Sequence, residues 1–455
     1  MRFAQLEGKR VAIWGCGREG RAAVAALRRR LAGLRPTLLC SAHEAEQVGG
    51  AGLQVDATLP DAATLGRFDV VIKSPGISAY KPEILEACAH GTVFTSGTAL
   101  WFGENPDARV IAVTGTKGKS TTTAMLAHIA RALGIRTALA GNIGLPLLEL
   151  DGQQAELWAI ELSSFQTGEA GPLDVGVITS LHEEHLDWHG SRERYVADKL
   201  KLADAARLLV VNRTPPLLLE RTARHPRRRL FGEVGGWHVG ESGDLRRGTT
   251  SVLSDAAFPL PGPHNRLNAC AALAALDALL GLGQQRALAA AQALGRFVPL
   301  PHRLQPLGRH DGIDWIDDSI STTPQATLAA LHSLPGRAIT LIVGGHDRGL
   351  DWSGFAIQAR QSAGLRIITQ GANGPRIAAE LRAAGGPALL AEVATLEEAV
   401  ACARTQAAAD GVILLSPGAP SFDQFRDYAE RGRRFAELAG FDAAALGVIP
   451  GLGIC

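Results

Sequence analysis

Short apolar runs alternate with amphipathic stretches along most of the chain, and glycine or small polar residues punctuate them. Val11-Ala-Ile-Trp14 is the first run. Gly15 to Gly20 follows as a turn, and Arg21 to Leu34 places its apolar residues on one face, so strand, glycine turn and helix are predicted. Pro36 to Leu39 and Asp69 to Ile72 are predicted strands, the second running into Ser74-Pro-Gly-Ile77. After Asn105-Pro106 the pattern restarts with a strand at Arg109 to Val113, then Leu157 to Leu162 and Val175 to Ser180. Residues 215–263 are richer in Arg, Gly, Pro and Ser and predict loops with short strands. The Ala/Leu-rich run Asn268 to Leu280 predicts a helix stopped by Gly281. Beyond a linker at Pro299-Leu-Pro301 come Trp315-Ile316, Ile339 to Val343, Arg366 to Thr369 and Gly411 to Leu415. Strands alternating with helices imply an α/β protein with mostly parallel sheets. Three domains are expected, at residues 1–106, 107–300 and 301–455.

Composition narrows the function. Among 455 residues, 46 Lys+Arg face 45 Asp+Glu, so no global basic field exists to hold nucleic acid, and an anionic ligand needs a local site. The six cysteines are scattered without a C-x-x-C pair, which suggests neither a disulfide framework nor a zinc site. The start, MRFAQLEGKR, has no apolar signal region, and no uninterrupted apolar stretch reaches ~18 residues. A soluble cytoplasmic protein is expected, without membrane insertion.

The chemistry begins at Val113-Thr-Gly-Thr-Lys-Gly-Lys-Ser-Thr121, which follows a predicted strand and opens a helix. Gly115 and Gly118 let backbone N–H groups point inward at phosphate oxygens, where the helix N-terminus adds positive potential. Lys119 can reach the outer phosphates, and the Ser120 or Thr121 hydroxyl can ligate Mg²⁺. The bland alternative is a glycine turn before a helix; strand, glycines, lysine and hydroxyls in register argue against it. Downstream, Glu161 opens Glu-Leu-Ser-Ser-Phe-Gln166 at a strand end, where a carboxylate suits Mg²⁺ or merely caps a surface. Thr179-Ser-Leu-His-Glu-Glu-His185-Leu-Asp187 ends another strand, with Lys199 beyond it as either a site residue or a salt-bridge partner.

These motifs together resemble the Mur ligases and their folylpolyglutamate synthase relatives, which implies Rossmann-like outer domains around a central domain of the P-loop ATPase type. T-G-T-K-G-K-S-T resembles the family's ATP loop, with Lys117 where the family usually has asparagine. E-L-S-S-F-Q and H-x-D with a later lysine resemble the family's metal site. The resemblance implies that Glu161 and His185 hold Mg²⁺ and that Lys199 is carbamylated. Gly115, Thr116, Lys117, Gly118, Lys119, Ser120 and Thr121 would hold ATP phosphates. H-N-x-x-N assigns Asn265 and Asn268 to the adenine end, although Asn at a helix start is often only an N-cap. Pro301-His-Arg303 and Asp317-Asp-Ser319 stand where the family carries P-H-R and N-D-S, and by that resemblance Arg303 and Asp318 take nucleotide roles. The N-terminal G-C-G-R-E-G matches G-x-G-x-x-G, but no acidic residue directly follows the second strand's Leu38-Leu-Cys-Ser41, which argues against a nicotinamide; the resemblance implies that this unit binds UDP instead. Arg18, Glu19, Ser74, Pro75 and Gly76 would line the uridine site, the loop with Asn142 would hold the sugar-phosphate region, and Gln166 and His185 would also bind the UDP substrate.

Within the family, Leu415-Ser-Pro-Gly-Ala-Pro-Ser421 through Tyr428 and Arg431-Gly432 resemble the glutamate-adding (MurD) type. That implies an ATP- and Mg²⁺-dependent ligase, monomeric, joining glutamate to UDP-N-acetylmuramoyl-L-alanine through an acyl phosphate in peptidoglycan precursor synthesis. Thr322, Arg348, Ser421 and Tyr428 would take the glutamate. Here the pattern departs: Ile320 and Arg348 stand where the family has lysines, and Tyr428 where it has phenylalanine. Such changes alter how a dicarboxylate is held and lean toward L-glutamate over the usual D-isomer. A folylpolyglutamate synthase lacks a domain like residues 1–105, and a non-catalytic regulator would not need Lys119, Glu161, His185 and Lys199 together.

Overall fold

Runs of Val, Ile and Leu bounded by glycine form strands buried on both faces, as parallel sheets covered by helices require. The computed structural model describes residues 1–41, 44, 53–182, 186–362, 364–385 and 388–455. The chain is α/β and divides into two compact units, Met1–Phe258 with His264–Phe297 and Gly451–Cys455, and Pro259–Pro263 with Val298–Pro450.

The first unit contains a five-stranded parallel sheet in the order Gln54–Asp56, Thr37–Leu39, Val11–Trp14, Val70–Lys73, Val93–Thr95. The order reverses between Val11–Trp14 and Val70–Lys73. Ligands of open α/β sheets bind outside the carboxyl ends of strands at such a reversal. A seven-stranded sheet follows in the order Arg228–Phe231, Ala206–Asn212, Leu173–Ile178, Val110–Thr114, Leu157–Glu161, Thr137–Gly141, Gly453–Ile454. Only Gly453–Ile454 runs antiparallel to its neighbour. Register pairs Val113 with Glu161 and Thr114 with Ile178, so the phosphate loop, Glu161 and Thr179 leave one edge together. One buried cluster joins the two sheets, with Ile13, Leu100, Trp101, Ala112 and Trp158 among its members. Residues 215–263 contain a three-stranded antiparallel sheet, Trp237–Val239, Leu245–Arg247 and Thr250–Leu253.

The second unit has a six-stranded sheet in the order Gln305–His310, Ile313–Asp317, Val412–Leu415, Ile339–Val343, Leu365–Thr369, Ala388–Glu392. Its first pair is antiparallel and the rest parallel.

Several strand ends differ from the sequence reading by one residue, and three elements differ by more. The first helix runs Arg18–Arg30, starting directly after Gly17. The strand expected at Val175 to Ser180 runs Leu173–Ile178 instead. Thr179 and Ser180 leave the ladder because their hydroxyls bond the phosphate loop, donating to the Lys117 carbonyl at 2.6 and 3.0 Å. The helix expected from Asn268 begins at Pro263, a residue suited to a first helical position. Asn265 and Asn268 therefore lie inside the helix, and neither is its N-cap.

Candidate active site

At the switch point of the five-stranded sheet, Gly15 turns with φ of 89°. A Cβ there would press on Ser74, whose hydroxyl donates to the Gly15 carbonyl at 3.1 Å. Gly20 lies so near that carbonyl that a side chain would overlap it. These close approaches set the Ser74–Ile77 turn beside the start of the Arg18–Arg30 helix. The Arg18 guanidinium donates to the Gly144 carbonyl at 3.4 Å, which brings the loop containing Asn142 to the same crevice. Burial, with Glu169 and Glu149 nearby, pushes the Glu19 carboxyl up to about 7.

The phosphate loop turns through Gly118, whose φ of 84° starts the Lys119–Ala132 helix. A Cβ on Gly118 would overlap the Asn268 side chain, and one on Gly115 the Thr179 hydroxyl. Asn268 thus stands against the loop, with its amide toward Asn265 Oδ1 at 3.3 Å. The Lys119 ammonium donates to the Thr116 carbonyl at 3.1 Å, Lys117 N–H is held by the Ser180 hydroxyl, Ser120 is buried, and Thr121 is half-buried in the first turn.

Glu161 ends its strand only 1% exposed. One carboxylate oxygen accepts from the Asn142 side chain at 2.7 Å. Oε2 is buried with no partner among the described residues. Lys199, 2% exposed, donates to the Gly115 carbonyl at 3.0 Å and stands 5.0 Å from the centre of the Tyr195 ring. Tyr195 in turn shares a 2.7 Å hydrogen bond with the Thr116 hydroxyl. Gln166 is buried in bonds within the protein, accepting from Ser163 and donating to the Thr98 hydroxyl at 3.1 Å. His185 lies outside the described residues.

Among the described residues, no group of three or more His, Cys, Asp or Glu could hold a metal ion. The open Glu161 oxygen beside a phosphate loop nevertheless fits Mg²⁺, which usually takes one or two carboxylates and completes its shell with water and substrate oxygens.

In the second unit, Pro301 leads into a strained segment, His302 and Leu304 having φ of 63° and 44° on either side of half-buried Arg303. His302 Nδ1 meets the Asp317 carboxylate at 2.6 Å. Asp318 is buried and accepts from the Leu304 N–H at 3.1 Å, the Ser416 hydroxyl at 2.8 Å and the Ser321 hydroxyl. Burial outweighs these bonds, with Asp317 adding to it, and raises the Asp318 carboxyl to about 6. Buried Arg431 donates to the carbonyls of Ser319, Ala419 and Pro420 at 2.8–3.1 Å, fixing the turn that carries Ser421. Thr322 and Ser421 follow the strands Ile313–Asp317 and Val412–Leu415, and exposed Arg348 follows Ile339–Val343, all at carboxyl ends of one sheet. Tyr428 opens the Tyr428–Ala439 helix, its ring 5.8 Å from His302.

The Mur ligase middle domain matches residues 113–276, and the Mur ligase, glutamate ligase domain matches residues 302–418. A protein of Xanthomonas axonopodis pv. citri named UDP-N-acetylmuramoyl-L-alanine–L-glutamate ligase is 52% identical, over 100% of both chains. The chain belongs to the Mur ligase family. It is an ATP-dependent, amide-bond-forming ligase. Proteins with the same name from Xylella fastidiosa (strain Temecula1) and a Micromonospora species are 49% and 37% identical, over 100% and 96% of this chain and 100% and 98% of theirs. The Mur ligase fold recurs in UDP-N-acetylmuramate-alanine ligase MurC of Thermotoga maritima, at TM-score 0.61, 21% identity, and 95% and 99% coverage of the two chains. The MurF ligase of the same organism, solved with ADP, gives 0.58 at 15% identity, covering 90% and 95%. No helix among the described residues is long and apolar enough to cross a membrane.

Sequence reasoning passed over Tyr80, Ser164, Trp188, His189 and Asp198, which the fold gathers beside this site. The one available signal was that Trp188 and His189 directly follow the H-x-D motif.

Proposed function

We propose that this Mur ligase joins glutamate to UDP-N-acetylmuramoyl-L-alanine in the cytoplasm, acting as a monomer in peptidoglycan precursor synthesis. The observation that carries the reading is the meeting at one sheet edge of the phosphate loop, Glu161 with its open oxygen, and Lys199 directed at Gly115. Asn142 ties Glu161 to the loop that shares the Gly15–Ser74 crevice. Arg18, Glu19, Ser74, Pro75 and Gly76 would receive the uridine end of the precursor there, and Asn142 its sugar and phosphates.

In the reaction, the lactoyl-alanine carboxylate attacks the γ-phosphorus of ATP, forming an acyl phosphate and releasing ADP. Lys119 supplies positive charge to the phosphoryl oxygens in the transition state. The amino acid's amine then attacks the acyl carbon, a tetrahedral intermediate collapses, and phosphate leaves as the amide forms. Bound Mg²⁺, held by Glu161, His185 and a loop hydroxyl, would neutralise phosphate charge. Lys199 would bind CO₂ as a carbamate, losing a proton and exchanging its positive charge for a negative one. Asn265 and Asn268 would meet the adenine, while Arg303 and Asp318 take nucleotide roles by resemblance.

The amino acid is read as L-glutamate. Ile320, Arg348 and Tyr428 alter the amino-acid pocket, while the phosphate-loop motif departs from the family pattern only at Lys117 and the metal motif keeps it, and the relatives quoted above are named for L-glutamate. Arg348 offers a planar fork where a lysine offers a point charge, which changes the angle at which a carboxylate is held. Phosphate release with ATP, Mg²⁺ and UDP-N-acetylmuramoyl-L-alanine tests this, with D- and L-glutamate compared. Turnover with L-glutamate alone is expected. Turnover with D-glutamate alone overturns the stereochemical reading and leaves the ligase reading standing.

A further inference from the structure

A second cluster of polar and aromatic side chains lies in the first unit, centred on Trp188 in the short Leu186–His189 helix. Its indole N–H donates to the Pro75 carbonyl at 3.0 Å, and its own carbonyl accepts from the Ser78 hydroxyl at 2.6 Å. Its ring stacks on Phe165, centroids 4.5 Å apart and planes 25° apart. Trp188 therefore grips the Ser74–Ser78 turn of one sheet and the Glu161–Gln166 segment of the other. The next residue extends the grip. His189 is fully buried, with Nδ1 2.7 Å from the Asp198 carboxylate and Nε2 3.0 Å from the Ser164 hydroxyl. Asp198 also accepts from the Tyr80 hydroxyl at 2.7 Å and from Lys201 at 2.7 Å. Tyr80 follows the Ser74–Ser78 turn, so this chain of bonds again runs from the first sheet to the strand end of the second. Lys73 closes the turn from below, its ammonium 3.2 Å from the Ile77 carbonyl.

A buried polar network of this kind could serve stability alone. Its end points argue for more. The bonds of Trp188 to Pro75 and Ser78, its stack on Phe165 and both ends of the Tyr80–Asp198–His189–Ser164 chain fall within or near a segment given a substrate or metal role. When two reactants are held on different elements, rate depends on their mutual placement, and a shift of about 1 Å can cost 10²-fold. We propose that Trp188 and the Tyr80–Asp198–His189–Ser164 chain are positioning residues that hold the sugar-nucleotide turn in register with the Glu161 strand end. The inference rests on the functional reading above. These residues touch no reacting atom; they set where the precursor's carboxylate stands relative to the phosphate loop.

Two mild variants test it by steady-state kinetics. Trp188→Phe keeps a ring against Phe165 and removes the donor to Pro75, while Tyr80→Phe removes one hydroxyl. Each is expected to lower kcat on the order of tenfold, with KM for ATP and for UDP-N-acetylmuramoyl-L-alanine changed less than about twofold. Thermal unfolding should stay within a few degrees of the wild type. Either variant showing unchanged kcat, with only a raised KM or a lowered unfolding temperature, overturns the positioning role. Tyr80→Phe decides the matter if Trp188→Phe does not fold. A wild-type protein that releases no phosphate with this precursor and either glutamate isomer overturns the functional reading, and this inference with it.

Discussion

Leaving a buried carboxylate oxygen without a hydrogen-bond donor costs roughly 1–3 kcal/mol, more when charged. Glu161 Oε2 is such an oxygen among the described residues, so the folded chain tolerates a cost at the place where a cation would recover it. Glu161→Gln keeps an acceptor for Asn142 and removes the charge. It is expected to leave unfolding free energy equal or raised by about 1 kcal/mol, while phosphate release falls at least about 100-fold. Urea titration and a phosphate assay on one preparation check both halves. Asp318 makes a different residue-scale prediction. Its carboxyl is raised from the ordinary 3.8 to about 6, so between those values the folded protein holds a proton that the unfolded chain has released. Its contribution to stability is therefore full below about pH 4 and is lost as pH rises through about 6. Asp318→Asn removes that loss. Thermal melts across pH 4–7 should show the variant gaining on the wild type by roughly 2–3 kcal/mol through this window and levelling above it.

At the scale of elements, the turn between the strand Val110–Thr114 and the Lys119–Ala132 helix was legible because its glycines stand at set places between an apolar run and a helix start. Gly118 carries both demands, a left-handed φ and contact with Asn268. Gly118→Ala should lower phosphate release at least about tenfold, with a loss of stability near 1 kcal/mol; kinetics and circular-dichroism melts would read these separately. Strands rich in Val and Ile, such as Val11–Trp14 and Ile339–Val343, were equally legible. Thr137–Gly141 was not, because Thr-Ala-Leu-Ala-Gly has little β preference and becomes a strand only between its neighbours. The Trp188 cluster was illegible for another reason. Its partners Pro75, Ser78, Tyr80 and Phe165 are far away in sequence, and nothing local marks them as contacts. Residue type and spacing therefore point to what a site can bind, while the fold alone reports what aligns it.

The largest scale concerns how the first unit is assembled from the chain. Residues Gly451–Cys455 belong to it although Val298–Pro450 do not. Gly453–Ile454 forms the edge of the seven-stranded sheet by pairing with Thr137–Gly141, the Thr137 N–H reaches the Cys455 carbonyl at 3.0 Å, and Arg131 donates to the carbonyls of Gly451 and Gly453. Deleting residues 451–455 should strip these partners at a cost of roughly 1–3 kcal/mol. Hydrogen exchange by mass spectrometry should quicken at Thr137–Gly141 and stay unchanged in the second unit's strands. Chains emerge from the ribosome at about 5–20 residues per second and begin folding from the N-terminal side. The edge of the seven-stranded sheet consequently stays open until the second unit has been synthesised. A nascent chain stalled inside that unit would carry an unsealed strand edge, the kind of pairing surface that makes incomplete chains prone to aggregate.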